Sequence, residues 1–308
     1  MQKNIECPVC GNTKFAPFLR SHDYHHSKEN FDIVKCENCG LKITGNPPSE
    51  IPAYYENPDY ISHSDTHKGI INNIYHKVRE IMLRKKARWI EKYGGRKSGN
   101  LLDIGSGTGY FADRMQKRGW DVKTMEVNEA ARSFAAATFG LKGYASLKAP
   151  ALLDTEFSVI TLWHVLEHVE DIGQYMKTFK HILEKDGTIV IAVPNPDSYD
   201  ARKYGPYWAA YDLPRHLWHF APKNISELAN RYGFEVYATE TMPMDAFYIS
   251  MISERYKGSK FPFIKGVYTG FIARLSLFRR PENSSSLVYF LKRKTDGIKG
   301  RGKKLRAK

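Results

Sequence analysis

Three glycines at alternate positions follow an acidic residue in the stretch Leu-Leu-Asp-Ile-Gly-Ser-Gly-Thr-Gly, residues 101–109. The apolar run predicts a buried strand that ends near Asp103, and Gly105, Gly107 and Gly109 predict a tight turn without β-carbons. The helix that follows would point its N-terminus at a ligand. Because a carboxylate stands ahead of the turn, the stretch suits a ligand that carries an ammonium group better than it suits a pyrophosphate.

A second acidic residue, Glu126, stands near the end of an alternating stretch, residues 121–127. The alternation predicts the next strand of the same sheet. Glu126 follows Gly105 by 21 residues, which is the offset at which an acidic side chain meets ribose hydroxyls in a doubly wound sheet. The glycine turn and the two carboxylates therefore predict a single nucleoside-binding site.

All four cysteines fall within the first 39 residues, in two C-x-x-C-G repeats formed by Cys7, Cys10, Cys36 and Cys39. Two such turns can direct four sulfurs to one tetrahedral zinc ion, with no open position for chemistry. The spacing therefore predicts a zinc ribbon, which either stabilises the fold or forms a platform that closes over a substrate. A thiolate site of this kind favours the cytoplasm over an oxidising compartment.

The 308 residues carry a net charge of +14, and this charge is unevenly distributed. Residues 251–308 hold 16 Lys and Arg against 3 Asp and Glu, and residues 68–99 hold 10 against 2. Such patches suit an anionic partner, namely nucleic acid, a membrane surface or a phosphorylated substrate. No apolar run is long enough to span a bilayer, and the N-terminus lacks the apolar core of a signal peptide, so a cytoplasmic protein is expected.

Strand and helix patterns alternate along the centre of the chain, which predicts an α/β fold with a mostly parallel sheet covered on both faces. We divide the chain into a zinc ribbon (1–46), a linker with helices (47–98), the α/β domain (99–292) and a basic tail (293–308). The α/β domain contains an insertion, residues 242–285, that is rich in aromatic and basic residues. This insertion predicts either extra helices that cap a substrate pocket or an interfacial contact with an anionic membrane.

Three sequence motifs outside the glycine turn also carry information about the family. They are Leu-Trp-His-Val-Leu-Glu-His-Val-Glu-Asp at 162–171, Leu-Glu-Lys-Asp-Gly-Thr-Ile-Val-Ile-Ala-Val-Pro-Asn at 183–195 and Tyr-Asp-Leu-Pro-Arg-His-Leu-Trp-His-Phe at 211–220. With the glycine turn, they make residues 95–241 resemble the class I methyltransferases that use S-adenosylmethionine (SAM), in the bacterial branch of the ubiquinone-type O-methyltransferases. The resemblance implies a Rossmann-like, seven-stranded, mostly parallel sheet. The N-terminal Cys₄ module is similar to that of certain sugar C-methyltransferases.

The resemblance also implies roles for individual residues. The methionine part of SAM would be held by the residues of the glycine turn, Asp103, Gly105, Gly107 and Gly109. Glu126 would bind the ribose, Val127 would flank the adenine, and Trp163 and His164 would line the cofactor. The chain lacks the Asp that such enzymes often place near the adenine amine, so backbone contacts are expected there.

The acceptor side of the site is predicted in residues 211–220, where Asp212, His216 and His219 are the candidate catalytic residues. A histidine suits the removal of a proton from a hydroxyl or from an acidic carbon. The two histidines are three positions apart and would share a face on a helix. The alternative is that both only hold the loop by hydrogen bonds. Glu167 and His168 are adjacent and cannot face the same way on a helix, so we expect them to orient a loop and cap the next helix.

The favoured function is transfer of a methyl group from SAM to an O, N or C atom of a small-molecule, sugar or lipid-linked acceptor. The alternative is an RNA methyltransferase that holds RNA with the zinc ribbon and the basic tail. Against it, the fourth strand is not followed by the Asn/Asp-Pro-Pro-Tyr motif used to methylate a nucleobase amine. A third hypothesis is a non-catalytic protein that binds SAM or a partner, and the intact glycine turn argues against that. The insertion and the tail add a peripheral contact with the inner membrane face as an expectation.

Overall fold

The computed structural model describes residues 6–49, 51, 54, 70–242 and 244–294. Most of the predicted basic tail, from residue 295 onward, lies outside the described residues, as does part of the predicted linker. Within the described ranges, no helix is both long enough and apolar enough to cross a membrane.

The cysteine-rich N-terminus forms an antiparallel meander of three strands, β1 (Phe15–His22), β2 (Asn30–Cys36) and β3 (Lys42–Thr44). In β2, Phe31 and Ile33 are buried while their neighbours along the strand are exposed or partly exposed. This alternation follows from the two-residue period of a strand, and it directs one face of the meander toward the rest of the protein.

The central sheet has seven strands. In chain order they are β4 (Asn100–Ile104), β5 (Asp121–Met125), β6 (Gly143–Tyr144), β7 (Phe157–Trp163), β8 (Leu183–Pro194), β10 (Phe234–Thr241) and β11 (Ser286–Arg293). Their spatial order is β10-β11-β8-β7-β4-β5-β6, with β4 to β8 parallel and β11 antiparallel to both of its neighbours. The predicted Rossmann-like, seven-stranded, mostly parallel sheet is therefore confirmed.

Helices cover both faces of this sheet. The helices of the described residues are α1 (Ile70–Tyr93), α2 (Tyr110–Gln116), α3 (Glu129–Phe139), α4 (Pro150–Leu153), α5 (Ile172–Ile182), α6 (Tyr199–Tyr204), α7 (Pro222–Arg231), α8 (Asp245–Tyr256) and α9 (Pro262–Ser276). Of these, α6, α8 and α9 pack mainly with one another and with the aromatic loop. Leu102 and Ile160 pack with residues of α5 and α7, whereas Leu101 and Val159 pack with residues of α1 and α2. Neighbouring residues of one strand thus serve opposite layers, which explains why these strands are apolar without alternation.

A short strand from the C-terminal half, β9 (Trp218–His219), completes the ribbon sheet by pairing with β3. Residues 211–220 are therefore not a helix, and the two histidines expected to share a helix face do not do so. His219 lies in β9, while His216 lies in the turn that precedes it. The backbone around β9 is held by hydrogen bonds to other segments, since the Leu217 N–H donates to the Glu167 carbonyl at 2.8 Å.

A buried ion triad joins the ribbon to this turn. The guanidinium of Arg215, with 1% of its side chain exposed, lies 2.6 Å from Asp212 Oδ1 and 3.2 Å from Asp23 Oδ1. Asp23 is fully buried, and its carboxylate also accepts backbone N–H groups from residues 25–27. One cation therefore neutralises two carboxylates that come from separate parts of the chain.

Replacing Arg215 with Met should lower the free energy of unfolding by about 3–5 kcal/mol, because it leaves two buried carboxylates without a cation. Denaturant unfolding measures the change. Arg20 is a matched control, since its ion pair with Asp32 is exposed on both sides. Arg20→Met should change stability by less than about 1 kcal/mol.

The stabilisation by the ion triad should decrease in acid. Burial would raise the pKa of Asp212, but His216 and Arg215 lower it from the ordinary 3.8 to about 2. The stabilisation is therefore complete above about pH 4 and is lost as the pH falls toward 2. The difference between wild type and Arg215→Met should shrink over that range. A difference that stays constant with pH would contradict an electrostatic role for the triad.

Candidate functional site

The glycine turn at the end of β4 is as tight as its sequence predicts. Gly105 has φ +64°, and a Cβ there would lie 2.4 Å from Val165 Cγ2. Gly109, which precedes α2, has φ +84°, and its Cβ would lie 2.7 Å from Leu141 Cδ1. Both positions combine a positive φ with a close neighbour, so only glycine fits them without a shift of the surrounding chain.

Glu126 follows β5 directly and faces this turn. Its carboxylate accepts the backbone N–H of Gly107 at 2.8 Å and that of Asn128 at 2.9 Å. Beside it, Val127 is 73% exposed. The carboxylate is thus fixed beside the carboxyl ends of β4, β5 and β7, a region that we call the cleft. There it can accept hydroxyl groups of a bound ribose, and Val127 is accessible beside it.

Asp103 is buried at the floor of the cleft, with 2% of its surface exposed. The Thr161 hydroxyl donates a hydrogen bond to its carboxylate at 2.6 Å. Burial raises the pKa of Asp103 to about 7, even though this hydrogen bond and the charge of Lys86 act in the opposite direction. A carboxylate in this state gains from a further cation, and the ammonium group of a ligand can supply one.

Lys86 is a site residue that the sequence argument did not identify. Its Nζ lies 4.4 Å from the centroid of the Trp163 ring. Burial lowers its pKa to about 8, against the attraction of Asp103 and Asp245. The sequence identified Lys86 only as one of the 10 basic residues in 68–99, and the packing of α1 on the sheet brings its ammonium group beside Trp163. It can bind an anionic group of the ligand.

His164 follows β7 with φ +58°, a conformation that non-glycine residues seldom adopt. Its Nδ1 lies 3.4 Å from Glu167 Oε1, and its Nε2 lies 3.3 Å from Asp245 Oδ2. Burial would lower the pKa of His164, but Asp245 and Glu167 outweigh it and raise the pKa to about 9. The ring is therefore a cation at neutral pH. Asp245 begins α8, so the predicted insertion contributes a residue to the cleft.

A second cluster of ionisable side chains adjoins His164. Glu167, His168 and His216 each place a ligand atom within 4.8 Å of the others. The rings of His168 and His216 meet edge to face, with centroids 4.5 Å apart. Among the described residues, neither oxygen of Glu167 accepts a hydrogen bond. Burial and the neighbouring His216 lower the pKa of His168 to about 4, so this ring is neutral at neutral pH.

Backbone carbonyls orient both histidine rings of this cluster. His216 Nδ1 lies 2.9 Å from the Ala210 oxygen, and His168 Nδ1 lies 3.1 Å from the Arg215 oxygen. A carbonyl oxygen can only accept a hydrogen bond, so Nδ1 must be the donor. In its neutral form each ring therefore carries its proton on Nδ1 and its lone pair on Nε2. Two imidazole lone pairs and a carboxylate can accept a proton or ligate a divalent cation.

Of the three candidate catalytic residues, Asp212 and His216 are neighbours, whereas His219 contacts other side chains. Asp212 and His216 lie together, with Asp212 Oδ2 3.8 Å from His216 Nε2, and the Asp212 carboxylate is ion-paired with Arg215. His219 packs against Tyr211 at a centroid distance of 5.2 Å, and its Nε2 lies 3.4 Å from Thr44 Oγ1. Burial holds the pKa of His219 well below its usual 6.5. Its contacts are with the ribbon and the aromatic loop.

Glu167 and His168 were expected to orient a loop and to cap a helix. In the structure Glu167 pairs with His164, while Asp171 caps α5 by accepting the Gln174 N–H at 2.8 Å. The adjacent residues meet His216 because they lie in a short 3₁₀ turn that the β9 segment crosses. The available sequence signal was a Glu-His pair that starts three residues after the histidine next to β7.

The four cysteines converge as their spacing predicts. The Cys7 and Cys39 sulfurs are 3.5 Å apart, those of Cys10 and Cys36 are 3.6 Å apart, and all four lie within 4.8 Å of one another. A tetrahedron of thiolates around zinc at about 2.3 Å requires sulfur separations of about 3.8 Å. The geometry fits a structural zinc ion, which stays a prediction.

Both cysteine turns are bonded to α7 of the α/β domain. Asn224 Nδ2 donates to the Cys39 carbonyl at 3.0 Å, and Arg231 Nη1 donates to the Cys7 carbonyl at 3.2 Å. Metal binding and the packing of α7 are therefore physically linked.

We expect the wild-type protein to hold about one zinc ion per chain. Cys36→Ser should lose this ion, and its free energy of unfolding should fall by roughly 3 kcal/mol or more. Elemental analysis and denaturant unfolding measure the two quantities. His22→Asn, which changes an exposed ribbon histidine outside the cysteine cluster, is the control and should retain the metal. Full stability of metal-free wild-type protein would contradict a structural role for zinc.

The raised pKa of Asp103 predicts that SAM, whose ammonium group needs the ionised carboxylate, binds more weakly in acid. Between pH 7 and pH 6 the ionised fraction falls about fivefold, and the affinity should fall by the same factor. Asp103→Asn should weaken binding and remove this pH dependence. Calorimetry checks both effects, with the exposed Asp121→Asn as the control. A pH dependence that survives in Asp103→Asn would contradict the assignment.

Comparison with known proteins agrees with this geometry. The profile of a protein family described as a methyltransferase domain matches residues 76–239. A ubiquinone biosynthesis O-methyltransferase of Pseudomonas aeruginosa is 24% identical over 164 residues, which cover 49% of this chain and 71% of that protein. Its counterpart in Sinorhizobium medicae is 33% identical over 101 residues, which cover 31% and 41%.

Among solved structures, the 1,6-didemethyltoxoflavin-N1-methyltransferase of Burkholderia thailandensis, with bound 1,6-didemethyltoxoflavin and S-adenosylhomocysteine, aligns with a TM-score of 0.47 and 14% identity. The alignment covers 89% of this chain and 100% of that one. The family profile spans more than half of the chain and contains the glycine turn, Glu126 and the sheet from β4 to β10. The chain belongs to this family of methyltransferase domains and is a SAM-dependent methyltransferase related to the ubiquinone-type O-methyltransferases.

Proposed function

We propose that this enzyme transfers the methyl group of SAM to a hydroxyl oxygen of a small-molecule acceptor, which binds between His164 and the turn of Asp212 and His216. The observation that carries the proposal is the cluster of His164, Glu167, His168 and His216 after β7, in which Glu167 and His216 are buried and the other two rings are partly exposed. In parallel sheets of this kind, ligands bind at the carboxyl ends of the strands. The O-methyltransferase names of the relatives in Pseudomonas and Sinorhizobium support oxygen as the methylated atom.

On the cofactor side, the two charged groups of the methionine part of SAM each meet a side chain of opposite charge. Asp103 binds the ammonium group and Lys86 binds the carboxylate of the methionine part. Glu126 accepts the ribose hydroxyls, Val127 lies against the adenine, and Trp163 lines the cofactor. The glycine turn at Gly105, Gly107 and Gly109 has no side chains and so leaves room for the methionine part of SAM.

When bound, SAM would supply the methyl group, whose transfer to the acceptor oxygen would break the carbon–sulfur bond of the sulfonium and leave S-adenosylhomocysteine. The hydroxyl proton passes to Nε2 of His216, and Asp212 stabilises the imidazolium that results. The cationic ring of His164 stabilises the negative charge that develops on the acceptor oxygen. Deprotonation matters because a neutral hydroxyl is a weak nucleophile toward the sulfonium.

The same three side chains, Glu167, His168 and His216, form a suitable ligand set for a divalent cation. Such an ion would act as a Lewis acid that lowers the pKa of the acceptor hydroxyl. In that case Glu167 and the two Nε2 atoms would serve as ligands and His216 would not take the proton.

Sugar and lipid-linked acceptors, as well as N and C atoms, remain within the proposal as alternatives. RNA is the less favoured acceptor, and no contact among the described residues favours it. Incubation with labelled SAM and fractionated small-molecule, lipid and RNA extracts tests the acceptor class. Label in the small-molecule or lipid fraction supports the proposal, whereas label confined to RNA would overturn it.

His216→Asn should reduce kcat by about 10²–10⁴, because it removes the proposed base, while the affinity for SAM changes by less than about twofold. The exposed His181→Asn, on α5, is the control and should leave kcat unchanged. Steady-state kinetics and calorimetry provide the two readouts. Unchanged kcat in His216→Asn would exclude proton transfer to this ring. Activity that a chelator removes and Mg²⁺ restores would assign the cluster to cation binding instead.

A further inference from the structure

Helices α8 and α9 form a hairpin in which α9 is closely packed on one side. Its inner residues Gly266, Thr269, Gly270 and Ala273 are buried. A Cβ at Gly266 would lie 2.5 Å from Met251 Cα of α8, so the two backbones are in direct contact. This side of α9 has no room for a further partner.

The opposite side of α9 and the turn after it are exposed and apolar. We call this surface the outer face of α9, and it comprises Phe263, Ile264, Tyr268, Phe271, Leu275 and Phe278. From Ile264 onward, their spacing of three and four residues places them in one stripe along the helix, and Phe263 extends this surface at the start of the helix. Phe263 is 67% exposed, Tyr268 is 63% exposed and Phe278 is 86% exposed. Soluble proteins seldom expose so many adjacent apolar side chains without a partner for them.

The charged residues of the segment that contains the outer face are all of one sign. Residues 257–280 contain six Lys and Arg and no Asp or Glu. They are Lys257, Lys260, Lys265, Arg274, Arg279 and Arg280. A second copy of this chain, packed face to face, would bring these like charges together, which disfavours self-association through this surface. An apolar stripe with a basic border instead complements a bilayer that contains anionic lipids.

We propose that the outer face of α9 is a membrane-docking surface for anionic lipid bilayers. The 15 residues of α9 span about 22 Å, which is less than the thickness of a bilayer core, so the helix lies in the interface and does not cross it. The aromatic side chains enter the headgroup boundary, and the basic side chains contact lipid phosphates.

The docking surface is coupled to the acceptor side through α8. Asp245 at the start of α8 pairs with His164, and Ser253 Oγ accepts the Ala209 N–H at 2.9 Å. Tyr204 donates to Glu254 Oε1 at 3.1 Å. The inference rests on the proposed function in one respect, because it assigns the acceptor to a lipid-soluble class that is reached from the bilayer surface. The binding to lipid itself does not depend on catalysis.

Flotation of the full chain with vesicles tests the proposal, with phosphatidylcholine alone and with phosphatidylcholine plus phosphatidylglycerol. Wild type should bind the anionic vesicles at least about tenfold more strongly than the neutral ones. Phe263→Ser/Phe271→Ser should weaken binding about tenfold or more, because it removes two apolar anchors. Arg279→Glu/Arg280→Glu should weaken binding to anionic vesicles by about 25-fold or more, at roughly fivefold for each lost cation.

Ile81 on α1 is 60% exposed and lies away from the hairpin in sequence, so Ile81→Ser is the matched control and should bind like wild type. Equal vesicle binding by wild type and both hairpin variants would overturn the proposal. It would also be overturned if Phe263→Ser/Phe271→Ser converted a dimer to a monomer while vesicle binding stayed the same.

Calorimetry with SAM separates this inference from the proposed function. The hairpin variants should bind SAM as wild type does, and they should lose vesicle binding. Methylation of a vesicle-borne acceptor should then fall, while methylation of a water-soluble analogue stays unchanged. If vesicle binding follows the expected order but no hydroxyl acceptor is methylated, only the proposed reaction fails.

Discussion

The arrangement of the acceptor side depends on one guanidinium. Arg215 is almost completely buried, and it is held between Asp23 of the ribbon and Asp212 of the aromatic loop. The carbonyl of this same residue accepts from His168, and the next residue is His216. One of the contacts between the ribbon and the methyltransferase domain is therefore continuous with the backbone that orients both histidine rings. Removal of one partner from such a buried triad leaves an uncompensated charge, so the Asp23, Asp212 and Arg215 side chains stabilise the fold only together.

On the cofactor side, charges of alternating sign follow one another through the cleft. Asp103, Lys86, Asp245, His164 and Glu167 act on the pKa of their neighbours in that order. Each charge is partly balanced by a neighbour of opposite sign before a ligand binds, and each can still interact with a charged group of that ligand. A zwitterion such as the methionine part of SAM can enter this series without adding net charge to a buried region. Electrostatic balance of this kind permits several buried ionisable groups in one small volume.

The cofactor half of the site could be predicted from sequence because its elements are local. The glycine turn, the sheet and the acidic residue after β5 follow from patterns within about 25 residues. The acceptor half could not be predicted in the same way. Lys86 reaches the cleft only through the packing of α1, and Asp245 enters it from an insertion. His219 forms a strand with the ribbon and not a helix with His216, because β3 offers its backbone hydrogen bonds to that segment. Contacts between residues far apart in the chain decided each of these positions.

The pairing of β3 with β9 has a consequence for how the chain folds. Thr44 and His219 meet although they are 175 positions apart in the sequence. During synthesis the ribbon strands emerge first, and β3 has an open edge until the segment after Pro214 leaves the ribosome. The N-terminal module is thus completed late, after most of the central sheet has been made. Closure of the ribbon sheet therefore becomes possible only after β4 to β8 have been synthesised, and before β10 and β11 complete the central sheet.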